Sequence, residues 1–327
     1  MSKETKILAY VAFGIVCFVW GTTYLAIAIA IETLPSILFP GLRFTIAGVI
    51  LLAVRLLQGA RLPKRRSDWL NLVWIGVLMV GTGNVCVVWA EHYVTSGFAA
   101  LLVGGSPFAM ALLERARGGE RFSRHKLIGL LIGFAGLVLL VAPELTGGTF
   151  NLMFLLGVLA IQVGTVGWNW GSIVSKYHMS RDVDPITSAS LQMLFGGLVV
   201  SAVGLLNGEA SLMHFNARTL AAFLYLVVFG SILTYGAYVY ALAKLPTSTT
   251  SLYAYINPVV ALFLGWLVLD EPIGWNGVAG MLVIFTGVAF VQSKGRIRGA
   301  TMTGSVAVPA SAIATPKAPA VTGERAS

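Results

Sequence analysis

The chain has 327 residues, 57% of them hydrophobic and only 11% charged, with a net charge of +9. A soluble domain carries about 25% charged residues, so this composition excludes an ordinary water-soluble globule. The positive charge does not point to nucleic acid, because the basic residues sit in short connections between apolar runs, as in a multi-spanning membrane protein.

Runs of about 18 or more apolar residues read as transmembrane helices, since about 20 residues at 1.5 Å rise cross the hydrocarbon. Ten such spans can be drawn, at 7–30, 37–56, 69–89, 96–114, 125–142, 151–174, 186–206, 219–243, 248–269 and 274–292. Lys3 and Lys6 precede the first, but its apolar stretch is too long for the core of a signal peptide, and it is read as mature structure. With the N-terminus inside, all but two of the 22 Lys and Arg fall in inner segments; Arg218 lies in an outer loop and Arg43 within a span. Outer loops carry Glu32, Glu91, Glu144, Glu209, Asp270 and Glu271 instead. This asymmetry predicts both termini in the cytoplasm. Residues 293–327 turn to Ala, Pro, Thr, Ser and Gly and are expected to form a disordered tail.

The two halves of the spanning region repeat each other. Ala90 and Ala241, Pro107 and Pro258, Glu120 and Glu271, Gly129 and Gly280, and Gly136 and Gly287 recur at one constant spacing. At a spacing one residue shorter, Trp20-Gly21 recurs as Trp170-Gly171 and Pro35 as Pro185. The expected organisation is a first repeat over residues 1–147 and a second over 148–292. Five spans per repeat is an odd number, so the second must enter the membrane from the opposite side. Inverted repeats are a common plan in secondary transporters, with a substrate site near the midplane where the halves meet.

Polar residues within spans mark where such a site would be. Trp20, Thr23 and Tyr24 lie in the first span; Asn84 in the third; Thr165, Trp168, Asn169 and Ser172 in the sixth. Ser231, Thr234, Tyr235 and Tyr238 stripe the eighth, and Ser251, Tyr255 and Pro258 share a face of the ninth, with Asn257 nearby. Polar groups facing lipid are costly, so these faces should turn inward. The bland alternatives are interhelical hydrogen bonds and, for the tryptophans, anchoring at the membrane surface. Mid-span Pro107 and Pro258 each remove a helical hydrogen bond, giving either a fixed kink or a broken helix beside Ser106 and Asn257. Arg43 costs about 2.5–3.5 kcal/mol to place in a bilayer; it is either a structural tie to Glu32, Glu91 or helix-end carbonyls, or a contact for an anionic group. Gly129, Gly133, Gly136, Gly280 and Gly287 read as helix-packing seams.

Several chemistries lack their residues. There is no phosphate-binding GxxxxGK[ST] loop, no GxSxG and no HExxH. Cys17 and Cys86 are expected as free buried thiols, and His92, His125, His178 and His214 show no metal-ligand spacing. No catalytic residue, metal or cofactor is expected. No Asp or Glu lies mid-span; Glu91 is the best titratable candidate.

Trp20-Gly21-Thr22-Thr23-Tyr24, Arg43-Phe44, Ala90-Glu91-His92 with Ser96-Gly97, and Tyr253 to Val260 resemble the drug/metabolite transporter superfamily, specifically its ten-span EamA-domain branch and the YedA-like inner-membrane group. The resemblance covers residues 7–292. It implies an all-α bacterial inner-membrane permease, often an exporter of amino acids, other metabolites or toxic compounds, with a cavity lined by spans one, three, four, six, eight and nine. The small four-span members of that superfamily carry a membrane-embedded Glu in the first span, and this chain has none there.

The combined expectation is a ten-helix inverted-repeat transporter exporting a small metabolite by alternating access, with drug efflux as the alternative. Its cavity residues would be Trp20, Tyr24, Asn84, Trp168, Tyr235, Tyr238, Tyr255 and Asn257, with Pro107 and Pro258 shaping the gate. The expected partners are a small solute and the lipid bilayer, without nucleic acid, in a monomer or homodimer. A membrane-embedded enzyme would need clustered acids or a His/Asp constellation, and a scaffold would not need inward polar stripes.

Overall fold

The computed structural model describes residues 2–94, 96–118, 123–147, 151–180, 183–269 and 275–300. All regular structure among them is helical. In chain order the helices are α1 (Lys3–Ala30), α2 (Leu38–Leu57), α3 (Arg66–Ala90), α4 (Ser96–Ala116), α5 (Arg124–Gly147), α6 (Leu152–Tyr177), α7 (Pro185–Leu206), α8 (Ala217–Lys244), α9 (Tyr253–Leu269) and α10 (Trp275–Ala300). Seven of them, α1 to α4 and α6 to α8, are long and apolar enough to cross a membrane, and α10 contains the shorter apolar stretch Val278–Phe290. Helix α10 continues to Ala300, past the point where the tail was expected to begin. The remainder of that tail, the repeat pair Glu120 and Glu271, and Asp270 lie outside the described residues.

Local sequence sets several helix starts. Asn151 accepts a hydrogen bond from the Phe154 amide at 2.8 Å, opening α6. Asp184 accepts from Thr187 N at 2.9 Å, with Pro185 in the first turn of α7, where its missing N–H costs nothing. Asn216 and Thr219 form a reciprocal cap at the start of α8.

Helices α3 and α8 each contain a π-helical segment, Val77–Asn84 and Leu226–Leu233, at corresponding places in the two halves. Both carry Gly followed by a hydroxyl residue, Gly81-Thr82 and Gly230-Ser231. The wider turn leaves carbonyls without their helical partner, and hydroxyls answer: Thr82 Oγ1 donates to Leu78 O at 2.8 Å and Thr234 Oγ1 to Phe229 O at 2.6 Å. Such segments are rare and are often found at functional sites.

Packing is reciprocal. Helix α1 lies on α8 and α9, whereas α6 lies on α3 and α4. Helix α2 pairs with α7, and α5 with α10. Small residues make both pairings close. A Cβ on Gly41 would stand 2.6 Å from Ser201 N, and one on Gly136 would stand 2.7 Å from Ile284 N. Without a hydrophobic drive between helices in lipid, such close approach supplies the packing.

Helices α2 and α7 run antiparallel. The start of α2 meets the end of α7, where Glu209 accepts from Leu38 N at 2.6 Å and Ile37 N at 3.1 Å. The end of α2 meets the start of α7 through Arg55 and Asp184 at 3.1 Å. These ties define two ends of the molecule. End A holds the connections 31–37 and 207–216; end B holds 58–65 and 178–184. Cys17 and Cys86 are free thiols, the second only half-buried.

Proline acts differently at its two sites. Helix α4 is interrupted at Gly104 and Gly105, and Pro107 falls in the first turn of the restarted segment Ser106–Ala116. Of the two expectations for Pro107, a fixed kink or a broken helix beside Ser106, the helix is broken, and the break precedes the proline. Pro258 lies inside α9, after a bend at Ser251 and Leu252.

Candidate functional site

A hollow of about 70 Å³ lies among α1, α2, α3, α4, α6 and α9. A single water needs about 10–15 Å³ of such space, so it holds a few waters or one small chemical group. The lining residues place it toward end A: Ile27 is near the end of α1, Val87 near the end of α3, and Arg43 near the start of α2. Its wall is aromatic and polar, with Trp20, Tyr24, Trp168 and Tyr253 beside Arg43, Asn84, Ser106, Thr165 and Asn257.

Several of these side chains are held from behind. The Trp20 indole N–H donates to Gly230 O at 3.1 Å, and Arg43 Nε donates to Ser231 Oγ at 2.9 Å. Both anchors belong to the π segment of α8, so that segment aims two walls of the hollow. The Arg43 guanidinium also lies 4.7 Å from the Phe44 ring centre. The Asn257 amide nitrogen is within 3.0 Å of Cys17 O and 3.1 Å of Tyr253 O, tying α9 to α1. Its side chain also bonds Tyr24. Asn169 Nδ2 donates to Ser106 Oγ at 3.1 Å, joining α6 to α4.

Four polar atoms on the residues of this wall are buried and have no partner: Arg43 Nη1, Asn84 Oδ1, Thr165 Oγ1 and Trp168 Nε1. Buried polar atoms are almost always hydrogen-bonded, and an unmade bond costs about 1–3 kcal/mol. Four such atoms on the residues of one hollow mark a place suited to a polar guest.

The floor is a cluster of rings. Trp20 packs against Trp168 with centroids 5.2 Å apart, Tyr238 at 5.1 Å and Tyr253 at 5.0 Å. Edge-to-face ring pairs at such spacing contribute about 0.5–1.5 kcal/mol beyond their burial. Ser172 and Tyr238 share a hydrogen bond of 2.7 Å beneath Trp168. Below them, at end B, opens a depression of about 620 Å³ against Glu114, Lys176 and Lys244. Lys176 Nζ donates to Leu242 O at 2.9 Å and also to Leu245 O, tying α6 to the last turn of α8. Thr165, Asn169, Ser172 and Lys176 lie on one face of α6, so this polar face runs from the hollow, through the ring layer, to the depression.

Of the residues expected in the cavity, Trp20, Tyr24, Asn84, Trp168 and Asn257 line the hollow, and Tyr235, Tyr238 and Tyr255 do not. Tyr238 lies in the floor. The Tyr235 hydroxyl is turned toward α7, donating to Gln192 at 3.1 Å. Tyr255 faces away, donating to Leu130 O of α5 at 3.0 Å. Tyr253 takes the place expected of Tyr255, because a bend precedes α9 and residues two apart on a helix point about 200° apart. The expected tie between Arg43 and Glu32 or Glu91 is also corrected. Glu32 pairs with Arg218 at 3.2 Å, and both Glu91 oxygens are buried without a partner. Burial pushes the Glu91 carboxyl well above its ordinary range. Trp170, the sequence counterpart of Trp20, is exposed, and Trp168 joins the hollow instead. Pro107 and Pro258 are absent from the wall, whereas their neighbours Ser106 and Asn257 belong to it. The π segments and Gln192 went unread in the sequence, where Gly-Thr and Gly-Ser in mid-span were the available signal. No group of three potential metal ligands exists among the described residues.

Helices only among the described residues, seven of them membrane-capable, and a partly polar, aromatic hollow have the makings of a membrane transport protein. A solved crystal structure covering 91% of this chain and 99% of its own superposes with a TM-score of 0.72 at 19% identity, which shows a shared fold. The profile of the EamA-like transporter family matches residues 7–142 and again 155–293, and the chain belongs to that family. Among its relatives, the uncharacterized inner membrane transporter YedA of Escherichia coli is 34% identical over 76% of this chain and 78% of its own length. A WAT1-related chloroplastic protein of Arabidopsis thaliana is 27% identical over 84% of this chain and 67% of its own.

Proposed function

We propose that the chain is a secondary transporter that moves a small metabolite across a bacterial inner membrane by alternating access, with export as its direction. The observation that carries this reading is the set of four unpartnered buried polar atoms on residues that line one aromatic-walled hollow. We further propose ten spans in two inverted repeats, residues 1–147 and 148–292, with both termini cytoplasmic. The doubled family match, the two π segments and the antiparallel α2 and α7, each second in its half, support that arrangement. End A would then face outward and end B the cytoplasm, and the ring floor would seal the hollow from the cytoplasmic side. The polar face of α6 is the route along which the floor would part.

Counterflow in proteoliposomes tests the reading. Purified protein loaded with a panel of radiolabelled amino acids, hydroxy acids and quaternary amines should give saturable exchange of at least one class. Asn84→Ala and Trp168→Ala should lower that exchange at least tenfold at normal insertion. Exchange equal to that of empty liposomes for every compound would refute it.

A further inference from the structure

We infer that the solute is a small organic anion, a carboxylate with one hydrogen-bond donor and a compact apolar body, and that Arg43 is the residue that selects it. This inference rests on the transport reading and names the substrate class of the same hollow.

The guanidinium of Arg43 is charged at any physiological pH and its residue is only 2% exposed. Its setting is built. Nε is taken by Ser231 Oγ, and the plane lies against Phe44. Gly230 leaves the space for Nη2, since a Cβ there would stand 2.8 Å from that atom. Nη1 remains without a partner. The fork is thus oriented from behind with one buried N–H left over on a residue that lines the hollow, and a planar guanidinium matches a carboxylate in geometry and charge.

Charge counting gives the sign. Among the described residues lining the hollow, Arg43 is the only charged one and none is Asp or Glu. A bound monoanion neutralises the site; a cation would add to an uncompensated charge at low dielectric, where like charges repel strongly. A zwitterion brings no net neutralisation. The unpartnered Asn84 Oδ1 is an acceptor and needs a donor from the solute, such as a hydroxyl. Trp20, Trp168 and Tyr253 supply flat apolar walls for the rest.

Ligand-induced stabilisation in nanodiscs, followed by tryptophan fluorescence, tests this with L-lactate, glycolate, alanine, lactamide and choline. Lactate and glycolate should stabilise the protein, and alanine, lactamide and choline should not. Arg43→Gln should weaken lactate or glycolate binding at least tenfold. Gly230→Ala, which keeps the charge and displaces its tip, should weaken it severalfold, and it carries the test if Arg43→Gln fails to fold. Choline or lactamide binding as well as lactate, no anion binding at millimolar concentration, or anion binding indifferent to both variants would overturn the inference. Flux in proteoliposomes separates the two readings. Flux of cations or neutral compounds that ignores Arg43→Gln defeats the anion class alone. Anion binding without any flux defeats the transport reading and leaves the anion site standing.

Discussion

Glu91 follows the last residue of α3 with its carboxylate buried and unpaired. Desolvation raises its pKa well above 4.5 in the folded protein. Below the unfolded pKa the group is neutral in both states, and stability is greatest. As pH rises from about 4.5 toward the raised folded value, ionisation favours the unfolded chain and stability falls. Glu91→Gln removes this dependence. Thermal unfolding in detergent should therefore find the variant more stable than the parent at pH 7 and equal to it near pH 4; an unchanged difference across that range would contradict the burial account. At this scale the sequence was partly legible. Trp20, Tyr24, Asn84, Trp168 and Asn257 reach the hollow because a polar or amphipathic side chain inside an apolar run has few places to go. Tyr255 was misplaced for a geometric reason. Its stripe assumed one uninterrupted helix from Ser251, and the bend at Leu252 resets the face, so that Tyr253 and Asn257 align instead. The partners of Arg43 were equally out of reach, because a π turn in a distant helix decides them.

Among the elements, α5 and α10 illustrate what small residues do in this fold. A Cβ on Gly287 would stand 2.7 Å from Gly133 Cα, and backbone cannot yield as a flexible side chain would. Gly287→Ala should cost about 1–3 kcal/mol, the usual range for overpacking. It should appear as a lower Tm in detergent, while ligand affinity in the surviving folded protein stays unchanged, since neither helix lines the hollow. These seams were readable from glycine spacing alone. The π segments were not. An extra residue in a helical turn changes no composition and shifts the apolar period only locally, so Val77–Asn84 and Leu226–Leu233 look like ordinary span interiors. Once folded, each receives the first helix of the other half: α1 sits on α8 and α6 on α3. The placement of Trp20 and Arg43 depends on that exchange.

For the whole molecule, the proposed repeat rests in the sequence on paired Pro, Gly and Ala at constant spacing, and the family profile matching two stretches of the chain supports it. Trp168 lining the hollow while Trp170 is exposed shows the limit: a sequence pairing with Trp20 does not say which side chain reaches the site. The proposed motion can be tested by cross-linking in a background lacking Cys17 and Cys86. A disulfide or short dithiol bridge between cysteines replacing Arg55 and Asp184 should leave flux within about twofold of the reduced form. A dithiol cross-linker long enough to span the space vacated by the Tyr238 ring, joining cysteines that replace Ser172 and Tyr238 on α6 and α8, should abolish flux until reduced. Equal inhibition by both would argue against a parting floor.

Helices α2 and α7 are joined at both tips, by Glu209 at one and by Arg55 with Asp184 at the other, with glycine between. A joint pinned at its two extremities and smooth along its length can turn but cannot slide. In the proposed transport cycle it would serve as an axle, about which the remaining helices would rock while the bearing itself keeps its shape.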